Sequence, residues 1–589
     1  MYGRLLQQMM VILKGSIMRE ELMLFIFQLI AWARLSKLGK LSGKLAFNPN
    51  DLPRHASDIR AIFKDISESG LLNMNGEAFS YVNPAIQHLS AGQLLQALEL
   101  LASTNLNDPW QADDLIPTIG RMASQGFIGL PSEVTELMVA LARIKESDKV
   151  YLPFEQSFQF TTCAQKVTAH TFSETPLASS FPWLVNLLCD IHTTIHIGDS
   201  LDNPGFLNEG RLTKFDISVS FPPFGVRYSP TLTQADRFNR FPEQTSAVAV
   251  LSIRHLLART KGRIVIAVPN GLLFSPGAER VLRNYLLANQ QIETVIALPP
   301  ALLAGSAIQF SLMVLRNDKP CNDIVFIDGC NEMFFIKDGK SRATLTGWQE
   351  IVEAALNPAN TAISKVVSVT DVEANDAQLQ VSRYCKTSDD EAIEQLLSRY
   401  PTKSLSDLVS FVRPMPLSPD GTVCVLEVAP PDFPEYGYVS TPGREIKLSA
   451  TNVSRGKNQF LRPLDIAVAI KGSVGKVAIM PKDTPEKTWV IGQSCIILRV
   501  DEKSFPIDPH VIFSYLKSDV GQLQLKNIVS GSAVSVIQLR ELEKIKIPLP
   551  VAAEAKDIIT SFEKIVDIEK AIAGYRDQQQ QLTKAVWPN

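Results

Sequence analysis

The chain has 589 residues, a formal net charge of −3, 45% hydrophobic residues and seven cysteines. Such a length accommodates three or four domains at about 150 residues each, and the composition excludes a largely disordered chain. The slight negative charge excludes a global attraction to nucleic acid, so any DNA binding has to come from local basic patches.

The cysteines stand at positions 163, 189, 321, 330, 385, 424 and 495. No two have CxxC spacing, so neither a structural zinc site nor a disulfide framework is indicated, and reduced thiols in a cytoplasmic protein are expected. Near the start, Leu22 to Trp32 is an apolar run bounded by Arg19, Glu20, Glu21 and Arg34. Spanning a bilayer takes about 20 such residues, so this run predicts a buried helix and no membrane association.

Residues 1–128 read as a helical domain, with turns at Ala91-Gly92 and Asn105 to Pro109 flanking a helix over Gln93 to Ala102. From residue 129 the rhythm changes. A helix opens at Pro131-Ser132-Glu133, with proline early and an acid in its first turn. A strand follows at Lys149 to Tyr151, then a second over Lys166 to Phe172 that ends before Glu174. A helix containing Pro182 leads to Thr194 to Asp199. Helices at Ser246 to Leu257 and Ala278 to Ala288 alternate with strands at Gly262 to Pro269, Ile292 to Leu298 and Phe310 to Leu315. Strands alternating with helices over 129–390 predict one doubly wound α/β domain.

A boundary follows near Ser388 to Lys403. Residues 404–550 carry short strands, including Asp465 to Ile470 and Val477 to Ile479, around the turn Lys471-Gly472-Ser473-Val474-Gly475-Lys476. A helix spans Pro509 to Lys517. The last segment, 551–589, predicts one long amphipathic helix with Ile558, Ile559, Phe562, Ile565, Ile568, Ile572 and Tyr575 at helical spacing.

The chain is organised around Phe215 to Val219, a short buried strand that runs into Phe221-Pro222-Pro223-Phe224-Gly225. Two prolines fix φ and remove two backbone donors, so the turn cannot join a ladder. At the carboxyl edge of a parallel sheet, such a turn faces the ligand crevice. The segment resembles the catalytic loop of amino-methylating DNA methyltransferases, Asn-Pro-Pro-Phe or Asn-Pro-Pro-Tyr, with Phe221 at the Asn position. Residues 120–390 resemble the modification subunit of type I restriction-modification systems, also through Val268 to Phe274, Arg283 to Leu286, Ala297-Leu298-Pro299 and Asn375 to Tyr384. Residues 404–550 resemble one target-recognition domain of the partner specificity subunit, through Asp465-Ile466, the turn 471–476, Gly531-Ser532 and Ile547 to Pro550. The final helix resembles its spacer helix.

The resemblance implies an α/β Rossmann-like methyltransferase core with a helical N-terminal domain, a C-terminal α+β target-recognition domain and a long helix. It implies S-adenosylmethionine as cofactor and adenine N6 as methyl acceptor, with Glu174 at the ribose and Asp199 near the adenine of the cofactor. The chemistry does not follow. In the family the Asn carbonyl accepts an N6 hydrogen, and Phe221 has no acceptor. Losing a positioned polar contact of this kind costs about 10²–10³ in rate. The family's glycine-rich cofactor loop is also lost. Its frame survives in Pro153, Ser157 and Phe160, but Leu152 replaces the Asp, and Gln156, Phe158 and Gln159 replace the glycines. Those side chains are expected to fill the space of the methionine moiety, because glycine there lets the backbone pass close and take φ values hostile to Cβ.

The expected function is therefore DNA recognition or complex assembly in antiphage defence by a catalytically inactive pseudo-methyltransferase, with no cofactor. The alternative is an active S-adenosylmethionine-dependent adenine-N6 methyltransferase. Double-stranded DNA is the expected ligand, contacted by Arg455, Lys457, Lys471, Ser473 and Lys476. A nuclease or motor subunit and a second copy paired through the terminal helix are the expected partners. His192 and His196 have i, i+4 spacing but lack the Glu of a zinc helix, so no metal is expected. No phosphate loop of the Gly-Lys-Ser/Thr type and no nuclease constellation is present.

Overall fold

A computed structural model describes residues 1–14, 18–123, 129–176, 180–303, 306, 308–337, 342–385, 388–416, 421–500, 506–530 and 536–586. The chain divides into two compact units, Met1–Cys385 and Lys386–Asn589.

The first unit begins with five helices: α1 (Tyr2–Ile12), α2 (Arg19–Lys37), α3 (Ala56–Glu68), α4 (Ala91–Ser103) and α5 (Ala112–Ala123). Ser90 caps α4 in a reciprocal box with Gln93, which answers two helix-end donors at once. Helix α2 is apolar on all sides because Leu22, Phe25, Phe27, Ile30 and Trp32 are all buried inside the bundle. No helix among the described residues is long and apolar enough to cross a membrane.

After α6 (Ser132–Ala142), β1 (Val150–Leu152), α7 (Gln159–Ala164), β2 (Thr171–Thr175), α8 (Phe181–Cys189), β3 (Thr194–Ile197) and β4 (Phe215–Ser220) follow. Next come α9 (Val248–Arg259), β5 (Thr260–Pro269), α10 (Ala278–Ala288), β6 (Ile292–Ala297), β7 (Phe310–Arg316), β8 (Asp323–Asp328), α11 (Trp348–Leu356) and β9 (Ser364–Ser368). The nine strands form one sheet in the order β9-β8-β6-β7-β5-β4-β1-β2-β3. Strands β1 to β6 and β8 run parallel, while β7 is antiparallel to both β5 and β6, and β9 to β8. The chain leaves β1 for β2 on one side and reaches β4 on the other. The crevice at the carboxyl ends of β1 and β4 is thus the switch point where doubly wound sheets bind ligands.

Two sequence expectations change here. The second strand starts at Thr171 rather than Lys166, because Gln159–Ala164 forms a helix whose exit occupies the intervening residues. Glu174 consequently lies within the strand and not beyond its end.

The second unit is built on a four-stranded and a three-stranded sheet, with two further two-stranded pairings among the described residues. Strands β10 (Ser410–Val412), β11 (Val423–Val428), β12 (Arg444–Leu448), β13 (Ile466–Ala469), β14 (Val477–Ile479), β15 (Trp489–Ile491) and β16 (Cys495–Arg499) pair as β10-β16-β13-β14 and β12-β11-β15. Helices α12 (Pro509–Lys517) and α13 (Asp519–Asn527) follow, and α14 (Ala552–Val586) ends the described chain. Helix α14 buries Phe562 against Tyr438, His510 and Phe513. Ile565, Ile568, Tyr575 and Leu582 remain exposed along it.

Candidate cofactor crevice and nucleic-acid surface

The loop from Pro153 to Phe158 leaves β1 and the turn Phe221 to Gly225 leaves β4, so both flank the switch point. Between them lies a cavity of about 600 Å³, lined among others by Phe154, Glu155, Gln156, Phe160, Phe221 and Pro223. Its size is in the range of small-molecule sites. This corrects the expectation that side chains fill the hollow. Of the three residues that replace glycine, only Gln156 lines the cavity. Phe158 is fully buried and joins the core of the helical bundle and α8. Gln159 is fully buried and bound to the main chain of Leu130, accepting from its N–H at 2.8 Å and donating to its carbonyl at 2.9 Å. The backbone has nevertheless kept a glycine-like path, because Phe154 and Phe158 have φ of 59° and 56°. Left-handed backbone costs a residue with Cβ about 1–2 kcal/mol.

At the turn, the Phe221 ring packs 5.1 Å from Phe224 and 5.3 Å from Phe310, and Phe224 lies 5.8 Å from Phe310. The three rings form an apolar wall, so Phe224 is held against its neighbours. Pro222 is buried and Pro223 faces the cavity. The hydroxyl of Ser220 is buried without a hydrogen-bond partner.

Glu155 lines the cavity and is itself buried. Its carboxylate accepts the Thr161 N–H at 3.0 Å and the Thr161 hydroxyl, with the Ser173 hydroxyl at 3.5 Å. Burial pushes its pKa up to about 7 against these bonds. A carboxyl raised on folding protonates more readily in the folded state. Its ionisation therefore lowers stability as pH rises from the unfolded value of 4.5 to about 7. Glu155→Gln is expected to abolish this loss and to raise stability at pH 8 by about 3 kcal/mol. Denaturant unfolding at pH 5 and pH 8 checks it, and an unchanged pH dependence would refute it.

Both acidic residues expected to hold the nucleoside are engaged by the chain itself. Glu174 is fully buried, and its two oxygens accept the Tyr151 hydroxyl and the Gly205 N–H. It presents no oxygen to a ligand, which corrects its expected role at the ribose. Asp199 is partly exposed. One oxygen accepts the N–H groups of Leu201 and Asp202 at 2.8 and 3.0 Å, and the other accepts the Tyr228 hydroxyl at 2.6 Å. Of the two acids, Asp199 alone keeps acceptor capacity, since its second oxygen holds a single hydrogen bond and the residue is partly exposed.

The engagement of Glu174 continues through a buried chain that sequence spacing could not reveal. Tyr151 lies 2.8 Å from His255 Nε2, and Arg240 donates to His255 Nδ1 at 2.7 Å. Since Nδ1 accepts, Nε2 carries the hydrogen and points it at the Tyr151 oxygen, leaving the Tyr151 hydroxyl to donate to Glu174. Burial, with Arg240 and Arg259 beside it, holds the His255 pKa well below its ordinary value. Asp236 pairs with Arg240 at 2.9 Å, so that cation is not left alone. Arg259 donates to the Gly205 carbonyl. Gly205 thereby stands between an anion and a cation, and a Cβ there would lie 2.3 Å from the His196 ring.

In the second unit, Lys471, Ser473 and Lys476 are exposed on one turn between β13 and β14, while Lys457 is exposed beyond the short helix Ala450–Arg455. The side chain of Arg455 and the pair Gly531-Ser532 lie outside the described residues. At the end of β13 away from the turn, Arg499 clamps Asp465 with two hydrogen bonds of 2.8 and 2.6 Å, and both are buried. Among the described residues no group of three His, Cys, Asp or Glu is arranged to hold a metal ion.

A core sheet with a reversed strand, a crevice at its switch point and a Pro-Pro turn define a protein with a methyltransferase fold. The family described as N-6 DNA Methylase matches residues 121–392, and the Type I restriction modification DNA specificity domain matches residues 434–574. The chain therefore joins a DNA N6-methylase-type modification domain to a type I specificity domain in one polypeptide. It is 25% identical over 216 residues to the type I restriction enzyme MpnII methylase subunit of Mycoplasma pneumoniae, covering 35% of this chain and 39% of that one. With the MjaVIII methylase subunit of Methanocaldococcus jannaschii it shares 25% identity over 303 residues, covering 47% and 52%. The chain thus spans about half the length, or less, of these curated relatives. The crystal structure of the type I restriction-modification system methyltransferase subunit of Streptococcus thermophilus superposes with a TM-score of 0.56 at 19% identity, over 65% of this chain and 99% of that one.

Proposed function

We propose that this protein recognises double-stranded DNA for a type I-like restriction or antiphage system in the cytoplasm and does not transfer methyl groups. The observation that carries this reading is a pair of polar losses, one at the Pro-Pro turn and one inside β2. Phe221 supplies an aromatic wall where an amide would grip adenine, and both oxygens of Glu174 are engaged within the protein. A base enzyme must take its base out of the stack and hold it by hydrogen bonds to its edge. On the cavity side of the turn, Phe221 offers a ring for stacking and no side-chain acceptor.

On this reading the modification-type core serves as a DNA clamp or assembly platform, and a separate nuclease or motor subunit acts on the bound DNA. One specificity domain reads one half-site. The exposed Ile565, Ile568, Tyr575 and Leu582 of α14 recur at three- and seven-residue spacing, which suits pairing with a second copy. The open cavity favours a second reading, an active adenine-N6 methyltransferase with altered cofactor contacts.

Two measurements separate these readings. Binding to a mixed-sequence duplex should weaken with salt, with a log–log slope of about −0.9 per neutralised phosphate. S-adenosylmethionine should leave the thermal transition unmoved. A salt-independent interaction would remove DNA recognition, and a cofactor-dependent rise in Tm would favour the second reading.

A further inference from the structure

The turn 471–476 is not free-standing. Gln522 of α13 donates to the Gly475 carbonyl at 3.2 Å and to the Leu516 carbonyl at 2.7 Å, tying the turn to the α12–α13 corner. That corner is tight, since a Cβ on Gly521 would lie 1.9 Å from the Tyr515 carbonyl oxygen. On the other side, the Ile470 and Lys471 N–H groups both donate to the Ser494 carbonyl. Between turn and helix lies a groove of about 590 Å³, lined by Val474, Gly475, Asp519, Gln522, Leu523 and Lys526 among others.

Lys471 and Lys476 flank Val474 and Gly475, the turn residues that line this groove, and Lys526 lines it from α13; all three lysines are exposed. Among the described residues none of the three has an ion-pair partner, and Asp519 is the one carboxylate on the lining. Lys517 adds a further cation. It donates to the Pro434 carbonyl at 3.3 Å, and burial lowers its pKa, with Glu435 opposing and Lys476 adding to the shift. Unneutralised lysines on two elements facing one groove repel each other unless a polyanion lies between them. Lys526 and Gln522 are 50 and 46 residues from Lys476 in sequence, which is why the sequence alone did not join them to the turn.

We propose that the groove between the turn 471–476 and α13 seats a DNA phosphate backbone, with Lys526 as a phosphate contact and Gln522 as the residue positioning the turn. The proposal rests on the DNA-binding reading above and extends it to a second element.

Fluorescence anisotropy of a labelled mixed-sequence duplex across a salt series tests it on the full chain. Lys526→Ala should flatten the log–log slope by about 0.9, and Lys526→Arg should retain the slope of the unaltered protein. Gln522→Ala should weaken binding alone, but add little once Lys471→Ala and Lys476→Ala have removed what it positions. Should the double lysine variant flatten the slope while Lys526→Ala leaves it unchanged, the groove assignment fails and the DNA-binding reading stands. Should neither change the slope, this surface does not bind DNA. Full additivity of Gln522→Ala with the double variant would reject its positioning role. If Gln522→Ala fails to fold, the Lys526 arm still decides the groove.

Discussion

Phe158→Ala should destabilise the first unit by about 3–5 kcal/mol, the usual cost of emptying a buried aromatic site. Phe158 is completely buried, and its ring lies in the core that unites the helical bundle with α8. Yet its φ of 56° is a conformation that glycine adopts without penalty. Phe158→Gly should therefore be about 1 kcal/mol more stable than Phe158→Ala, because glycine also relieves the left-handed strain. In an ordinary helix or strand that order is reversed. Denaturant unfolding of the three proteins decides it. Finding the alanine variant the more stable of the two would mean that the backbone here is not strained.

The second large effect concerns Asp465. Its removal leaves Arg499, which is 8% exposed, without the carboxylate that binds it through two nitrogens. Breaking a buried pair from one side costs about 3–5 kcal/mol. Asp465→Ala should consequently erase amide-exchange protection in β13 and β16. The pKa of Asp465 is raised by burial even though Arg499 opposes the rise, so desolvation outweighs the attraction. Replacing both partners together, Asp465→Leu with Arg499→Met, should then cost less than Asp465→Ala alone. A double variant worse than the single one would show that the pair itself stabilises the unit. Either outcome bears on recognition, because this clamp underlies the strand that delivers the turn 471–476.

Much of the scaffold is legible in the chain because local signals agree. Helix α12 begins at Pro509 and ends at Lys517, as proline at the first position and a basic last turn imply. Helix α10 follows Gly277 over Ala278 to Ala288, the range expected from the sequence. The strand before Pro222 is fixed by its apolar run and by the prolines that close it. What sequence reasoning missed depends on contacts between distant segments. Nothing near Glu174 reveals that Tyr151 and Gly205 will take both of its oxygens, or that Arg240 and His255 orient Tyr151. The loss of glycine from the loop after β1 suggested a blocked crevice. Instead, Phe158 and Gln159 turn away into the bundle core and onto Leu130, and the cavity stays open. Sequence names the side chain, but only packing decides which way it points.

On the proposed reading, this modification-type core has parted from its reaction. Incubating the protein with duplex DNA and methyl-labelled S-adenosylmethionine, then measuring label on adenine N6, decides this. No incorporation above that of DNA without protein is expected. Incorporation that requires the protein, and is lost on altering Phe221 or Glu174, would contradict it.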